Sequence, residues 1–364
     1  LIRRATGMEV AVGDRLPVAG RRLISEQAGM MRLRAGVAID LGTVNTLVSI
    51  RGRGLVIEEP SAIAVNRGTG QTVAVGRAAD ALAGKAPQGV DVLHPLRDGV
   101  IADLDAATAM LQAFLREARL RRGLLRPVAV VCVPSGATWV ERRALAAAVE
   151  AGRPRCTVQL VDEPVAAAAG AGFGLTGGTG AFVVDVGGGT TEIAVVAGGH
   201  LVRAESLRLG GNAMDEAIVA AVKAELGLLI GRNGARRLKI DLGLTGGTPE
   251  WAEVVGVDAA RGIPRAERIP GELVANALEH SVAAIVEAVG EMLLDLPPDL
   301  AEDVVRGKIC LAGGGALLLG LAGRIETAAG IPALVVDDPL RCVVRGAGEI
   351  LEGNGRAITA LGSD

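Results

Sequence analysis

At 364 residues the chain has the length of two ordinary domains, each able to bury its own core. Its 38 basic and 41 acidic residues leave a net charge of −3, which argues against an electrostatic nucleic-acid binder, and a composition of 50% hydrophobic and 22% charged residues argues against disorder. Aromatic residues are 1% and Tyr is absent, so there is almost no platform for base stacking. The core must come from Ala, Val, Leu and Ile, and the excess of Gly, 52 residues, asks for a structural reason.

Residues 1 to about 29 have no period and several scattered arginines, without the apolar stretch of a signal peptide. They read as a disordered tail or a start-site artefact, with the fold beginning near Met31. Val37 to Asp40 is an apolar strand ending in an acid. Leu47 to Ile50 and Gly54 to Ile57 follow as strands joined by Arg51-Gly52-Arg53, a hairpin signal. Ala62 to Val65 and Val73 to Val75 continue the antiparallel pattern. Asp105 to Arg119 has helical periodicity, Val128 to Val133 is a buried strand, and Thr138 to Glu150 is a helix. Ala181 to Asp185 repeats the opening strand, and Ile193 to Val196 is the next. Asp215 to Leu229 reads as an amphipathic helix, residues 241 to 272 as loop-rich, and Leu273 to Leu294 as a long helix ended by Pro297-Pro298. Lys308 to Leu311 is a strand running into Gly313-Gly314-Gly315. Strands alternating with helices predict α/β architecture.

No membrane span is evident. The uncharged stretch Pro164 to Val184 is broken by glycines and reads as a small-residue helix, a loop and a strand. The cysteines, Cys132, Cys156, Cys310 and Cys342, form no CxxC and read as reduced thiols of a cytosolic protein. His94, His200 and His280 are far apart and read as solitary structural residues.

Two segments share one plan: apolar strand, Asp, small residue, Gly, Thr. They are Ile39-Asp40-Leu41-Gly42-Thr43-Val44-Asn45-Thr46 and Val184-Asp185-Val186-Gly187-Gly188-Gly189-Thr190-Thr191. Glycines let the backbone turn tightly and aim N–H donors at phosphate oxygens, and Thr hydroxyls add donors. An Asp at each strand end suits Mg²⁺, which prefers carboxylate and water oxygen. One such turn is often only a turn. Two facing copies would grip a triphosphate from both sides. Neither is a P-loop or a GxGxxG fingerprint, because each is followed by a strand. The third glycine run, Gly313-Gly314-Gly315-Ala316-Leu317, suits close backbone approach to a nucleoside; alone it reads as a tight turn.

With the third run in place, the two clamps resemble those of the actin-like ATPases. Within these, the chain resembles the MreB/Mbl family, the bacterial cell-shape actins. Collinear segments from about residue 36 to 352 carry the resemblance. They include Glu59-Pro60-Ser61, Asp98 to Asp103, Val133 to Thr138 with Glu141 to Ala144, Glu163 to Ala168, Gly210 to Ile218, Asp338-Pro339-Leu340 and Arg345-Gly346.

The resemblance implies an α/β, actin-like ATPase fold, two lobes of related α/β subdomains around a nucleotide cleft. Residues 1–35 would be an extension, 36–175 plus 331–352 lobe I, 176–330 lobe II and 353–364 a tail. It implies ATP and Mg²⁺ as cofactors. Glu163 would position the attacking water with Thr190 assisting, and Asp40 and Asp185 would be the Mg²⁺-shell acids. Gly42, Thr43, Val44, Asn45, Gly187, Gly188, Gly189 and Thr191 would cradle phosphates, and Gly314, Gly315, Ala316 and Leu317 would lie near the adenosine. Arg236 stands where the family has a Glu facing the sugar, and a guanidinium cannot accept a hydrogen bond; Lys239 is retained. Residues 241–268 also diverge from the family, in the region of its filament contacts.

Arg119-Leu120-Arg121-Arg122-Gly123-Leu124-Leu125-Arg126 offers Leu124 and Leu125 as an apolar pair ringed by cations, suited to an anionic leaflet. The alternative is a helix C-terminus with packed leucines. The expected function is an ATP-dependent filament on the inner face of the cytoplasmic membrane, organising wall synthesis and cell shape. Its partners would be further copies of the chain, membrane lipids and membrane proteins of the wall-elongation machinery, with no nucleic acid. Any ATPase activity would be slow and coupled to polymer turnover. A non-polymerising nucleotide-binding paralogue and a small-molecule kinase of the same superfamily stay open.

Overall fold

The structure, a computed structural model, describes residues 35–353 apart from 120–125, 153–155, 175–177, 245–249 and 295. The expected extension up to residue 34, the tail from residue 354 and the Leu124–Leu125 pair lie outside the described residues.

The chain opens on β1 (Gly36–Leu41), β2 (Asn45–Ile50) and β3 (Gly54–Pro60), an antiparallel meander. A small sheet follows from β4 (Ile63–Asn66), β5 (Thr72–Val75) and β6 (Val90–Leu93), with the one-turn helix α1 (Arg77–Asp80) between the last two. After the short pair β7 (Leu96–Arg97) and β8 (Val100–Ile101) comes α2 (Leu104–Glu117), whose N-cap Asp103 accepts from the Ala106 amide at 2.9 Å. Then come β9 (Val128–Val133), α3 (Trp139–Gly152), β10 (Thr157–Asp162) and α4 (Glu163–Gly170). The first five-stranded sheet is ordered β10-β9-β1-β2-β3.

The second half repeats that order. β11 (Gly180–Val186), β12 (Thr191–Ala197) and β13 (His200–Leu207) form the antiparallel side. α5 (Gly211–Leu226), β14 (Leu228–Leu229), α6 (Arg232–Leu242), β15 (Trp251–Asp258) and β16 (Pro264–Pro270) build an inserted subdomain. α7 (Gly271–Leu294), α8 (Pro298–Gly307), β17 (Ile309–Ala312), α9 (Leu321–Ala329), β18 (Ala333–Val335) and α10 (Cys342–Leu351) complete the chain. The second sheet runs β13-β12-β11-β17-β18.

Side chains alternate across each sheet, and both faces are covered, so the central strands are apolar throughout. In the first sheet Val37, Ile39, Ala129 and Val131 pack under α2 and α3. In the second, Phe182, Val184, Ile193 and Leu311 face the core that holds α5, α7 and α9. The small residues turn the other way. Ala38, Cys132, Ala181, Ala194 and Ala312 meet one helix pair, α4 and α10, held between the two sheets. That close packing accounts for part of the Ala and Gly excess. A Cβ on Gly170 would lie 2.0 Å from the Cys342 carbonyl oxygen, and one on Gly346 1.8 Å from that of Ala166. Only glycine lets the helices cross so closely.

Two expectations are corrected. Residues 241 to 272 are not loop-rich: they end α6 and contain the β15–β16 hairpin. Trp251, Val255 and Val257 face solvent while Ala252, Val254 and Gly256 face inward, so apolar residues fall on both faces and hide the period. The helix expected to reach Leu229 stops at Gly227, in the left-handed conformation (φ 58°), and Leu228–Leu229 pairs with β15. α7 has the length and apolarity to cross a membrane by composition, but Val274, Leu278, Val282, Ile285 and Val289 bury it in the second core. Cys132, Cys156, Cys310 and Cys342 form no disulfide among the described residues, and His94, His200 and His280 are exposed.

Candidate functional site

β1 and β11 end side by side at the cleft, each carrying its Asp into a tight turn. The turns have the same geometry. Gly42 donates to the Asn45 carbonyl at 3.0 Å, and Gly187 donates to the Thr190 carbonyl at 2.8 Å. Ser61 supports the first turn, its hydroxyl donating to the Gly42 carbonyl and its amide to the Val44 carbonyl. The start of α5 supports the second: the Gly211 amide donates to the Gly187 carbonyl and the Asn212 amide to the Gly188 carbonyl. The tips meet at close quarters. A Cβ on Gly188 would lie 2.2 Å from Val44 Cγ2, and one on Gly189 2.5 Å from Thr43 Oγ1. Thr43 Oγ1 also accepts from the Gly99 amide at 2.8 Å.

Beside these turns lies a cavity of about 360 Å³. Asp40, Gly42, Thr43, Val44, Asn45, Glu163, Asp185, Gly187, Gly188, Gly189, Thr190, Arg236, Lys239, Gly314, Gly315 and Leu317 all line it. Two expected residues do not. The Thr191 hydroxyl donates to the Leu209 carbonyl at 2.7 Å, and Ala316 is buried in the second core. Thr191 opens β12, where alternation turns it away from its neighbour Thr190. Sequence reasoning gave no role to Gly99, Asn212, Met214, Ile240, Pro339, Leu340 and Val343, which also line the cavity. The signal available for Asn212, Met214, Pro339 and Leu340 was their place in family-like segments.

The electrostatics favour cations at one end. Burial pushes the Asp40 carboxyl up to about 7. Burial first, then the charges of Asp40 and Glu192, raises Asp185 to about 7. Glu163, at the N-terminus of α4, is raised well above the carboxylate range by burial and then by Asp40, Glu192, Asp185 and Asp162. Mutually repelling buried acids are relieved by a cation. Among the described residues no three such side chains form a complete metal-ligand cluster. The strand-end carboxylates Asp40 and Asp185, beside two turns of backbone donors, suit an ion that keeps its waters and shares phosphate ligands, as Mg²⁺ does.

At the other end, Lys239 Nζ lies 2.7 Å from Oδ1 of the fully buried Asp215 and donates to the Gly211 carbonyl at 2.7 Å. Burial lowers the Lys239 pKa, and Asp215 opposes the shift. Arg236 is half-exposed, its Nε 3.6 Å from Asp215 Oδ2. Its guanidinium lines the wall as a donor.

Comparison with known proteins follows the same outline. Residues 34–358 match the family model described as MreB/Mbl protein. Cell shape-determining protein MreB of Escherichia coli (strain K12) is 41% identical over 324 residues, covering 87% of this chain and 93% of the relative. Cell shape-determining protein Mbl of Bacillus cereus (strain ATCC 10987 / NRS 248) is 37% identical over 318 residues, covering 87% and 95%. The crystal structure of MreB5 of Spiroplasma citri bound to AMPPNP superposes with a TM-score of 0.82 at 32% identity, covering 89% of this chain and 97% of that one. The fold is actin-like, and the chain belongs to the MreB/Mbl family.

Proposed function

We propose that this protein is an ATP-dependent, filament-forming actin homologue that assembles on the inner face of the cytoplasmic membrane and organises wall synthesis and cell shape. The observation that carries the reading is the single cavity into which both glycine hairpins and three buried acids converge. Backbone amides and hydroxyls of Gly42 to Asn45 and Gly187 to Thr190 would hold the phosphates. Asp40 and Asp185 would hold Mg²⁺, partly through water, and the ion would neutralise phosphate charge. Glu163 would orient the attacking water with Thr190. Arg236, Lys239 and Asn212 flank the sugar in this reading. Ile240, Leu317 and Leu340 are exposed apolar side chains on the cavity wall, suited to cover a base without an aromatic ring. AMPPNP in the Spiroplasma citri relative supports the nucleotide, and the cell-shape names of the relatives support the cellular role. The membrane reading rests on Leu124 and Leu125, with the exposed Arg119 and Arg126 on either side.

The test is electron microscopy of purified protein on anionic liposomes. With Mg²⁺ and ATP we expect lipid-bound filaments, and without nucleotide none. Leu124→Ser with Leu125→Ser should leave filaments in solution and clear them from lipid. Glu163→Ala should bind nucleotide but hydrolyse it about 10²-fold more slowly. Nucleotide binding without filaments would favour a non-polymerising paralogue, and phosphate transfer to a small molecule would favour a kinase.

A further inference from the structure

Glu192 is a buried carboxylate of the cleft to which the proposed chemistry gives no part. It lies on β12, opposite Asp185 on β11 and Ser206 on β13, and is 1% exposed. Its donors come from both lobes. Oε2 accepts from the Ser135 amide at 3.0 Å and from the Ser135 hydroxyl; Oε1 accepts from the Ser206 hydroxyl at 2.5 Å. Ser135 follows β9 of the first sheet, and Ser206 belongs to the second. The backbones cross tightly here, since a Cβ on Gly136 would lie 2.7 Å from Ser206 Cβ. At the outer end of the same seam Arg208 pairs with Glu141 of α3 at 3.6 Å.

The seam continues to the cavity. Pro134, next to Ser135, packs on Gly99: a Cβ there would lie 2.7 Å from Pro134 Cγ and 3.1 Å from Thr190 Cγ2. The Gly99 amide in turn donates to Thr43. A chain of direct contacts thus runs from Glu192 through Ser135, Pro134 and Gly99 to Thr190 of one phosphate turn and Thr43 of the other.

We propose that Glu192 is a positioning residue for hydrolysis: by clasping Ser135 of one lobe and Ser206 of the other, it sets the lobe spacing at which Thr190 and Glu163 act on one bound nucleotide. The proposal rests on the cleft being the nucleotide site. Binding requires contacts that each lobe makes separately, whereas hydrolysis requires the two sets in register, and misplacement of about 1 Å costs on the order of 10²-fold in rate. The clasp therefore governs kcat more than affinity.

The experiment measures phosphate release from Mg²⁺–ATP and AMPPNP binding for the full chain and five variants. Glu192→Ala, Ser135→Ala and Ser206→Ala should each lower kcat about tenfold or more, with AMPPNP affinity within about threefold of the parent. Combining Ser135→Ala with Glu192→Ala should cost no more than Glu192→Ala alone, because one unit has been broken. Glu192→Gln, which still accepts from Ser135 and donates to Ser206, should restore most of the rate. The serine variants remove only a hydroxyl and keep the test decisive if Glu192→Ala does not fold. Parent rates in the serine and Ala variants, equal losses of binding and kcat, or a Gln variant as slow as Ala would each overturn the clasp while leaving the nucleotide site intact. A parent protein that neither binds AMPPNP nor hydrolyses ATP would overturn the nucleotide site, and the clasp with it.

Discussion

At the scale of single residues, the cleft is dominated by carboxyls that burial holds above the ordinary carboxylate range. Asp40 and Asp185 titrate near 7 in the folded chain, against about 3.9 for an exposed Asp. Below about pH 4 both states are protonated and nothing is lost. As pH rises from about 4 to 7 the unfolded chain releases these protons while the folded chain retains them, so the stability these two groups contribute falls across that window. We expect the nucleotide-free Tm to drop by about 5 °C or more between pH 5 and pH 8 in calorimetry. Mg²⁺–nucleotide should flatten that slope, because the ion favours the ionised acids, and Asp40→Asn with Asp185→Asn should make it shallower, leaving the part carried by the buried Glu163. A Tm that climbs over that range would contradict the assignment. Most of the cavity residues were legible in the sequence because glycine turns and strand-end acids are short-range signals. Thr191 and Ala316 were included through contiguity with the motifs; strand alternation turned Thr191 away, and the 3-10 turn Gly314–Leu317 put Ala316 into the core. Glu192 follows Thr191 directly, yet its role depends on Ser135 and Ser206, which no local pattern connects to it.

At the scale of elements, the α4–α10 crossing sets the position of Glu163 as well as stability. α4 begins at Glu163, so anything that pushes it away from α10 moves that carboxyl. Arg345 ties the pair, its guanidinium donating to the Gly170 carbonyl at 2.6 and 3.0 Å and to the Asp337 carbonyl at 2.9 Å. Gly346→Ala puts a methyl group against the Ala166 carbonyl and should cost about 3 kcal/mol. That corresponds to a Tm lower by roughly 6–12 °C. Gly348→Ala on the same helix meets only Ser49 Oγ at 3.6 Å and should melt with the parent. Equal melting of the two variants would show that the crossing yields. The buried strands β1, β9 and β11 were legible because their apolar runs are bounded by turn residues. The β15–β16 hairpin was not, since apolar side chains on both of its faces blur the alternation. α10 was recognised only through the resemblance, as Arg345-Gly346 within the residues 331–352 assigned to lobe I.

At the scale of the whole molecule, the two sheets have one design. Each places parallel strands on one side of its central strand and an antiparallel meander on the other, and each central strand ends in its Asp and glycine turn. Two copies of the motif in the sequence predicted this pairing of lobes. The return of α10 from the end of the second lobe to the first sheet was not predicted from patterning. α10 packs on β1, β9 and α4, and shares a core with Ala38, Val128 and Val130. A chain stopped after Arg341 should therefore show no cooperative melt by circular dichroism and should elute as aggregate. A monomer with the parent Tm would show that α10 is dispensable.

That return also sets an order of events during synthesis. Residues 171 to 341 separate α4 from α10, and ribosomes add roughly 5–20 residues per second. For roughly 10–30 s the nascent first lobe waits with the underside of its sheet covered by α4 alone. The hazard of that interval falls on β1 and β9, the strands that later frame the cleft. A holding chaperone able to shelter small apolar side chains would have its clearest task there, before the last helix leaves the exit tunnel.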